Sequence, residues 1–143
     1  MTIALEEAKV AAKRGEVPVG AVIVDGNGEV LARDGNRIIE LRDPSAHAEM
    51  QVIRAAAANL GSERLTGCDL YVTLEPCPMC AGAISLSRIR RLYYGAEDEK
   101  GGGVDHGPRL FNSPVCHHAP EVYGGIQARP AAEMLRDFFK LKR

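Results

Sequence analysis

The spacing of apolar residues changes between helical and strand periods along the chain. Residues 4–13 carry apolar positions at helical intervals and predict an amphipathic helix. The apolar run VGAVIV at 19–24 predicts a buried strand. The turn sequence DGNG at 25–28 predicts a hairpin that returns as a strand over 29–33, so the first two strands should be antiparallel.

The remainder of the chain continues to alternate between helix and strand. Asp43-Pro44-Ser45 is a helix-start sequence, with Ser45 as the predicted N-cap of a helix that ends near Asn59, before Gly61. The later predicted elements are a strand at 69–74, a helix from Pro78 to about Leu86, a strand beginning at 91–94, a short strand near 121–124 and a helix over 130–141. Residues 95–120 should be loop. This order predicts an α/β layered sandwich.

Composition is that of an ordinary globular protein. The 143 residues are 45% hydrophobic and 26% charged, which suits one packed domain over 1–143. The chain shows neither a signal-peptide pattern nor a run of about 20 apolar residues, so we expect a cytoplasmic protein outside the membrane. The net charge of −1 neither requires nor excludes a nucleic-acid partner. The arginines within 88–91 are expected to be solvated.

Two of the four cysteines carry the first chemical signal, in the stretch TLEPCPMCAG. Cys77 and Cys80 lie three residues apart where a helix is predicted to start. The free N–H groups and the positive dipole end of such a helix lower thiol pKa values and favour thiolate, the form that binds metal. A Cys-x-x-Cys pair can also be a redox pair. A companion ligand elsewhere in the chain favours the metal site.

The stretch SAHAE at 45–49 supplies that companion. His47 lies near the start of a predicted helix, and two helix N-termini that follow parallel neighbouring strands can point to one spot beyond the sheet edge. One His and two Cys make three ligands, and catalytic zinc, unlike structural zinc, leaves a fourth position for water. Glu49 is the predicted proton carrier. The order H-x-E then P-C-x-x-C is the signature of zinc deaminases.

With HAEM at 47–50 and TLEPCPMCAGA at 73–83, the chain resembles the cytidine deaminase-like superfamily, and most closely its bacterial tRNA adenosine deaminases. The further segments that carry the resemblance are GEVPVGAVIV at 15–24, Asn36, DPSAHAE at 43–49, SRIRRLYYGAED at 87–98 and DFFKLKR at 137–143. The resemblance implies a three-layer α/β/α sandwich around a mixed sheet of about five strands, one zinc ion per subunit, and a homodimer. The chain departs from the family in a first helix that begins a few residues short and in the loop GGGVDHGPRLF at 101–111.

The resemblance also implies an activity, the hydrolytic deamination of adenosine to inosine at the wobble position of a tRNA anticodon, with tRNA-Arg as the expected substrate. Glu49 would move protons from zinc-held water to the ring nitrogen and to the departing ammonia. The implied substrate contacts are the backbone at Ala48 and Pro76 beside the base, Val17 and Pro18 beside the base, Asn36 on the flipped nucleotide, Asp98 near the ribose 2′-hydroxyl, Phe139 or its neighbour Phe138 in the pocket, and Lys140, Lys142 and Arg143 on phosphates.

Two alternatives remain open at this point. A deaminase of a free base such as guanine or cytosine would use the same zinc ligands and the same acid. A non-catalytic, zinc-stabilised binding module would need a fourth protein ligand, for which Cys68, Cys116 and His117 are candidates. We expect His106, His117 and His118 to be surface histidines.

Overall fold

The computed structural model describes residues 1–142, and Arg143, one of the predicted phosphate contacts, lies outside the described residues. The strands are β1 (Gly20–Val24), β2 (Val30–Gly35), β3 (Asp69–Leu74), β4 (Arg91–Ala96) and β5 (Glu121–Tyr123). The helices are α1 (Thr2–Lys13), α2 (Ile38–Leu41), α3 (Ala48–Leu60), α4 (Pro78–Leu86) and α5 (Ala128–Leu141), with a 3-10 turn at Leu110–Asn112.

The strands form one mixed sheet in the order β2-β1-β3-β4-β5. β1 is antiparallel to both β2 and β3, while β4 is parallel to β3 and to β5. The predicted β1–β2 hairpin is confirmed. β2 and β3 run in the same direction, but β1 lies between them. The two ligand-bearing helices, α3 and α4, were expected to follow neighbouring parallel strands. The strands before them are parallel in direction, but they are not neighbours in the sheet.

Helices cover both faces of the sheet, as the three-layer prediction requires. Val52 of α3 and Ile84 of α4 belong to the large buried cluster against one face. On the other face α1 approaches the sheet closely at Gly20, where a Cβ atom would lie 2.0 Å from the carbonyl oxygen of Ala4 and 2.4 Å from the nitrogen of Ala8. Only glycine leaves room for the α1 backbone at that distance.

One helix start differs from the prediction. Ser45 is not the N-cap of α3, which begins at Ala48 with His47 in the N-cap position. The backbone N–H and the hydroxyl of Ser45 both donate to Asp43 Oδ1, at 2.9 and 2.6 Å. In this local turn the Ser45 side chain is bonded to Asp43 and does not cap a helix, so α3 begins three residues later. Asp and Ser side chains favour such turns because their hydrogen bonds to nearby groups compete with helix formation.

Two short elements were missed in the sequence. Four residues in α2 are too few to show a helical period, and the 3-10 turn lies within the segment predicted to be loop. The four cysteines are free thiols. Within residues 1–142, no helix has both the length and the apolar character that crossing a bilayer would take.

Candidate active site

The three predicted ligands meet at the N-terminal ends of α3 and α4. His47 and Cys77 occupy the N-cap positions of these helices, and Cys80 lies in the first turn of α4. His47 Nδ1 is 3.6 Å from Cys77 Sγ and 3.5 Å from Cys80 Sγ. The three ligand atoms lie within 4.8 Å of one another. The fold therefore brings together residues that lie 30 and 33 positions apart.

The spacing of these atoms fits tetrahedral zinc. Bonds of about 2.3 Å to sulfur and about 2.0–2.1 Å to nitrogen, at a tetrahedral angle, separate the nitrogen from each sulfur by about 3.5 Å. His47 lies at that distance from both sulfurs. Across residues 1–142, the group contains no fourth His, Cys, Asp or Glu ligand atom. Three protein ligands with one position left open is the arrangement of catalytic zinc.

The two thiols differ in their readiness to ionise. Hydrogen bonds from the Cys80 thiol and from His47 lower the pKa of the Cys77 thiol to about 4, although burial opposes this. The hydrogen bond from Cys80 to Cys77, together with burial beside Glu49, raises the pKa of the Cys80 thiol. A divalent cation supplies the positive charge that allows both sulfurs to bind as thiolates. The donor set therefore suits a metal ion.

Glu49 lies in the first turn of α3 and is only 4% exposed. Its side chain lines the same cavity as His47 and Cys77 but is not part of the ligand group. Burial raises the pKa of the Glu49 carboxyl. A carboxyl whose pKa is moved toward neutral pH can both accept and donate a proton during a reaction.

The ligands and Glu49 border a cavity of about 210 Å³. Its lining residues are Val17, Val19, Asn36, Ile38, His47, Glu49, Leu74, Glu75, Cys77 and Asp98. Four of these side chains are aliphatic, and the other six bring polar or metal-ligating groups to the same cavity. This combination is typical of sites that bind a small molecule or a single base.

Three of the seven predicted substrate-binding residues line this cavity. Val17, Asn36 and Asp98 line it. Asn36 Oδ1 accepts the backbone N–H of Ala48 at 2.8 Å, and Asn36 Nδ2 donates to the carbonyl oxygen of Val17 at 3.1 Å. Asn36 therefore joins two walls of the cavity. Pro18 is buried next to Val17 in the chain.

The aromatic residue assigned to the pocket lies elsewhere. Phe139 is 47% exposed and does not line the cavity. It borders a separate groove on α5 formed by Leu135, Arg136, Phe139 and Lys140. The reason is that α5 packs on β3 and β4 and on the side of α1, while the cavity opens at the starts of α3 and α4. Lys142 Nζ lies 5.4 Å from the ring centroid of Phe138. The RNA contacts of this helix stay predictions.

Glu75 is the residue at the site that the sequence analysis missed. Its side chain has no exposed surface. Burial alone would raise the pKa of this carboxyl, but the backbone N–H of Asp98 and the side chain of His106, with further backbone donors, bring the pKa below its ordinary value. The available signal was an acid placed directly after a buried strand, where a charge needs partners.

Of the three late histidines expected at the surface, His117 is exposed, and His106 and His118 are partly exposed. His106 is partly buried, because its Nδ1 lies 2.8 Å from Glu75 Oε1, and this contact raises the pKa of His106. His118 is partly buried, because its Nε2 lies 2.7 Å from the carbonyl oxygen of Ile89. Neither belongs to the ligand group of His47.

The candidates for a fourth zinc ligand are all remote from the first three. Cys68 is buried in the main core cluster, and Cys116 Sγ lies 3.3 Å from Oγ of Ser85, near the C-terminal end of α4. His117, the next residue after Cys116, is exposed. None of them belongs to the ligand group. A closed four-ligand site therefore has no support in the geometry.

The arginines near β4 are mostly paired with acids rather than free for a partner. Arg90 forms two hydrogen bonds of 3.0 Å to Asp69, and Arg91 Nε lies 2.9 Å from Glu121 Oε2. This cluster is consequently a weak candidate for binding phosphates.

Known proteins resemble the chain in sequence and in structure. The family described as the cytidine and deoxycytidylate deaminase zinc-binding region matches residues 1–96. The chain is 61% identical to the tRNA-specific adenosine deaminase of Agrobacterium fabrum, in an alignment that covers 100% of this chain and 93% of the relative.

Two solved structures extend the comparison. One comes from biochemical and structural studies of A-to-I editing by tRNA:A34 deaminases at the wobble position of transfer RNA; it is 61% identical, with a TM-score of 0.92 over 94% of this chain and 97% of that chain. The other is a guanine deaminase of Bacillus subtilis, 31% identical with a TM-score of 0.66 over 99% of this chain and 90% of that chain. The chain therefore belongs to the cytidine and deoxycytidylate deaminase zinc-binding family and, within it, to the tRNA-specific adenosine deaminases.

Proposed function

We propose that the protein is a zinc-dependent hydrolase that converts adenosine to inosine at the wobble position of a tRNA anticodon, with tRNA-Arg as the substrate to test first. The observation that carries the proposal is the buried carboxyl of Glu49 beside a His-Cys-Cys group whose spacing fits zinc with one open position. The 61% identity to a tRNA-specific adenosine deaminase supports the choice of substrate.

In this proposal His47, Cys77 and Cys80 hold one zinc ion. Zinc bound by three such ligands acts as a Lewis acid and lowers the pKa of water to about 7. Glu49 accepts a proton from the attacking water and delivers it to the ring nitrogen beside the carbon under attack. The carboxylate would then take the second proton from the hydroxyl now on that carbon and deliver it to the amino group, which leaves as ammonia when the C–N bond breaks. The water oxygen remains on the base, and the product is inosine.

The walls of the cavity suit an unstacked purine. Val17, Ile38 and Leu74 offer apolar surface to the base. Asn36 holds the loop before β1 against the start of α3, and its remaining amide hydrogen can meet the nucleotide. Asp98 at the rim would meet the ribose 2′-hydroxyl, the group that marks RNA.

The rest of the stem-loop needs a surface outside this cavity. The groove on α5 combines an exposed aromatic ring with the cations Arg136 and Lys140, and Lys142 follows on the same helix end. Aromatic rings stack on bases and cations bind phosphates, so this groove suits single-stranded RNA. We assign it, with Phe139, to the anticodon loop beyond the reacting base.

The proposal includes a homodimer of single-domain chains in the cytoplasm. Met79, Leu86 and Val115 are 40%, 77% and 74% exposed on and beside α4. Apolar side chains that are this exposed, close together on one side of the molecule, favour burial in an interface. Light scattering during size exclusion tests this assignment, and a monomer at micromolar concentration would contradict it.

The function is tested by offering the zinc-loaded protein three substrates. These are transcribed tRNA-Arg with adenosine at the wobble position, the same tRNA with guanosine there, and free guanine. We expect inosine in the first tRNA, no change in the second and no xanthine from guanine. The guanine deaminase relative makes the free-base reaction the second candidate. Formation of xanthine without inosine would favour the free-base deaminase over the tRNA adenosine deaminase.

A further inference from the structure

The Glu75 carboxylate joins the two ends of the segment 98–106, which we call the rim loop. Glu75 Oε1 accepts the N–H of Asp98 at 3.1 Å and lies 2.8 Å from His106 Nδ1. Glu75 Oε2 accepts the N–H groups of Val104, Asp105 and His106 at 3.3, 3.0 and 3.2 Å. One buried carboxylate thus ties the two ends of this loop together.

The closed rim loop packs against the backbone on both sides of Cys77. The N–H of Gly103 donates to the carbonyl oxygen of Pro76 at 2.8 Å. A Cβ atom on Gly103 would lie 2.6 Å from the nitrogen of Pro78, and one on Gly102 would lie 2.3 Å from Glu75 Oε2. These glycines therefore allow an approach that no other residue could make. The departure from the family's loop sequence, at 101–111, overlaps this segment.

The closed loop also determines where Asp98 lies. Asp98 Oδ1 accepts the N–H groups of Lys100 and Gly101 at 3.2 and 2.8 Å, and its carbonyl oxygen accepts the N–H of Gly102 at 2.9 Å. Asp98 lines the cavity from this position. Its orientation therefore depends on the turn that Glu75 closes.

We propose that Glu75 is a positioning residue of the deamination, which closes the rim loop so that Asp98 borders the cavity and the Pro76–Pro78 backbone is held at its inner end. This inference rests on the proposed function. Glu75 does not touch the base; it acts through the loop. A carboxylate is required because both of its oxygens accept N–H groups, whereas an amide would turn its own NH₂ toward one of the two sets of donors.

The first variant is Glu75→Gln, which keeps the shape of the side chain and removes one acceptor. Its matched control is Glu29→Gln, which removes the same charge from an exposed residue of the β1–β2 hairpin, outside the rim loop. The first readout is trypsin cleavage after Lys100, which is exposed in the rim loop. In the zinc-loaded enzyme we expect faster cleavage there in Glu75→Gln and wild-type cleavage in the control.

The second readout is kinetic and uses an anticodon stem-loop with adenosine at the wobble position. We expect Glu75→Gln to lower kcat/KM by about tenfold with unchanged zinc content, because Glu75 holds the loop that positions Asp98 and does not contact the metal ligands. A double-mutant cycle with Asp98→Ala then measures the coupling between the two residues. Asp98→Ala should cost less in the Glu75→Gln background than in the wild type, because the loop has already lost its orientation.

Gly102→Ala tests the same contact from the loop side, and it answers the question if Glu75→Gln does not fold. Its added Cβ cannot coexist with the position of Glu75 Oε2. We expect the same faster cleavage after Lys100 and the same reduced cost of Asp98→Ala.

Three results would each overturn the inference. They are additive losses in kcat/KM for Glu75→Gln and Asp98→Ala, unchanged cleavage after Lys100 in Glu75→Gln, and loss of zinc from Glu75→Gln. Failure of the proposed function gives a different result. In that case the wild-type enzyme leaves tRNA unchanged and the cycle is run with guanine, while cleavage after Lys100 still reports whether Glu75 closes the loop.

Discussion

Replacing Glu49 with Gln should abolish turnover and leave zinc and fold in place. The carboxyl is buried and is not part of the ligand group, so an amide of the same shape removes its proton chemistry and little else. Burial raises the pKa of Glu49, which means that the folded state disfavours the ionised form. Above the ordinary carboxyl pKa of about 4.3, the neutral variant should therefore be at least as stable as the wild type.

The size of the kinetic loss follows from the role of this residue. One general acid or base contributes about 10²- to 10⁴-fold to a rate, which is about 2.7 to 5.4 kcal/mol at about 1.36 kcal/mol for each factor of ten. Glu49 lines the cavity in the first turn of α3, two residues after the ligand His47, and it serves every proton transfer in the proposed reaction. We therefore expect the upper end, a kcat about 10⁴-fold lower with little change in KM.

The assay is a single-turnover measurement of inosine with the anticodon stem-loop, accompanied by zinc analysis and a thermal melt. Glu29→Gln, in the exposed hairpin turn, is the control for loss of one acid and should behave as the wild type. If Glu49→Gln keeps more than about a tenth of the wild-type rate, the proton-carrier role is refuted. If it loses zinc, Glu49 is a ligand and the structural-site alternative gains support.

Removal of zinc by a chelator should lower Tm, and added zinc should restore it; a ligand at about 1,000 times its Kd stabilises by about 4 kcal/mol. His106→Asn should lower Tm most between about pH 4.5 and 6.5 and less toward pH 8. The raised pKa of His106 gives stability that is complete below about pH 6.5 and is lost as pH rises through the folded pKa, while the lowered pKa of Glu75 gives stability that is lost only in acid. Equal differences in Tm between variant and wild type at pH 5.5 and pH 8 would contradict this. Gly20→Ala should lower the free energy of unfolding by about 1–3 kcal/mol or more in a denaturant titration, because the added Cβ meets the α1 backbone. The control is Gly26→Ala, whose added Cβ has its nearest neighbouring atom at 3.7 Å, and its free energy of unfolding should change by no more than about 0.5 kcal/mol. Asp98→Ala should reduce the preference for a ribose over a 2′-deoxyribose at the target nucleotide, measured as a ratio of kcat/KM values; an unchanged ratio would remove Asp98 from sugar recognition.

The parts of the fold that the sequence predicts well are those with strong local signals. α4 has its predicted bounds, because Pro78 suits the first turn and an apolar run follows it. The β1–β2 hairpin follows from its turn sequence. The position of β1 between β2 and β3 could not be predicted, since strand order depends on contacts between distant segments.

The candidate site divides in the same way. His47, Glu49, Cys77 and Cys80 are recognisable because metal ligands have few side-chain types and a spacing set by the helix start. Glu75 was missed because its hydrogen bonds run mainly to backbone N–H groups that lie 23 to 31 residues further along the chain. Backbone donors leave no mark in the sequence, and only the closed loop reveals them.

The lining of the cavity is complete by Asp98, and the rim loop ends at residue 106. β5 and α5 come later, and of α5 only Ala131 is fully buried against the sheet. Under the proposed assignment of the α5 groove to the anticodon loop, divergence of the exposed face of α5 would alter which nucleic acid is held without disturbing the atoms that carry out the chemistry. In such a chain, new specificity can evolve at the C-terminal end while the catalytic half is inherited unchanged.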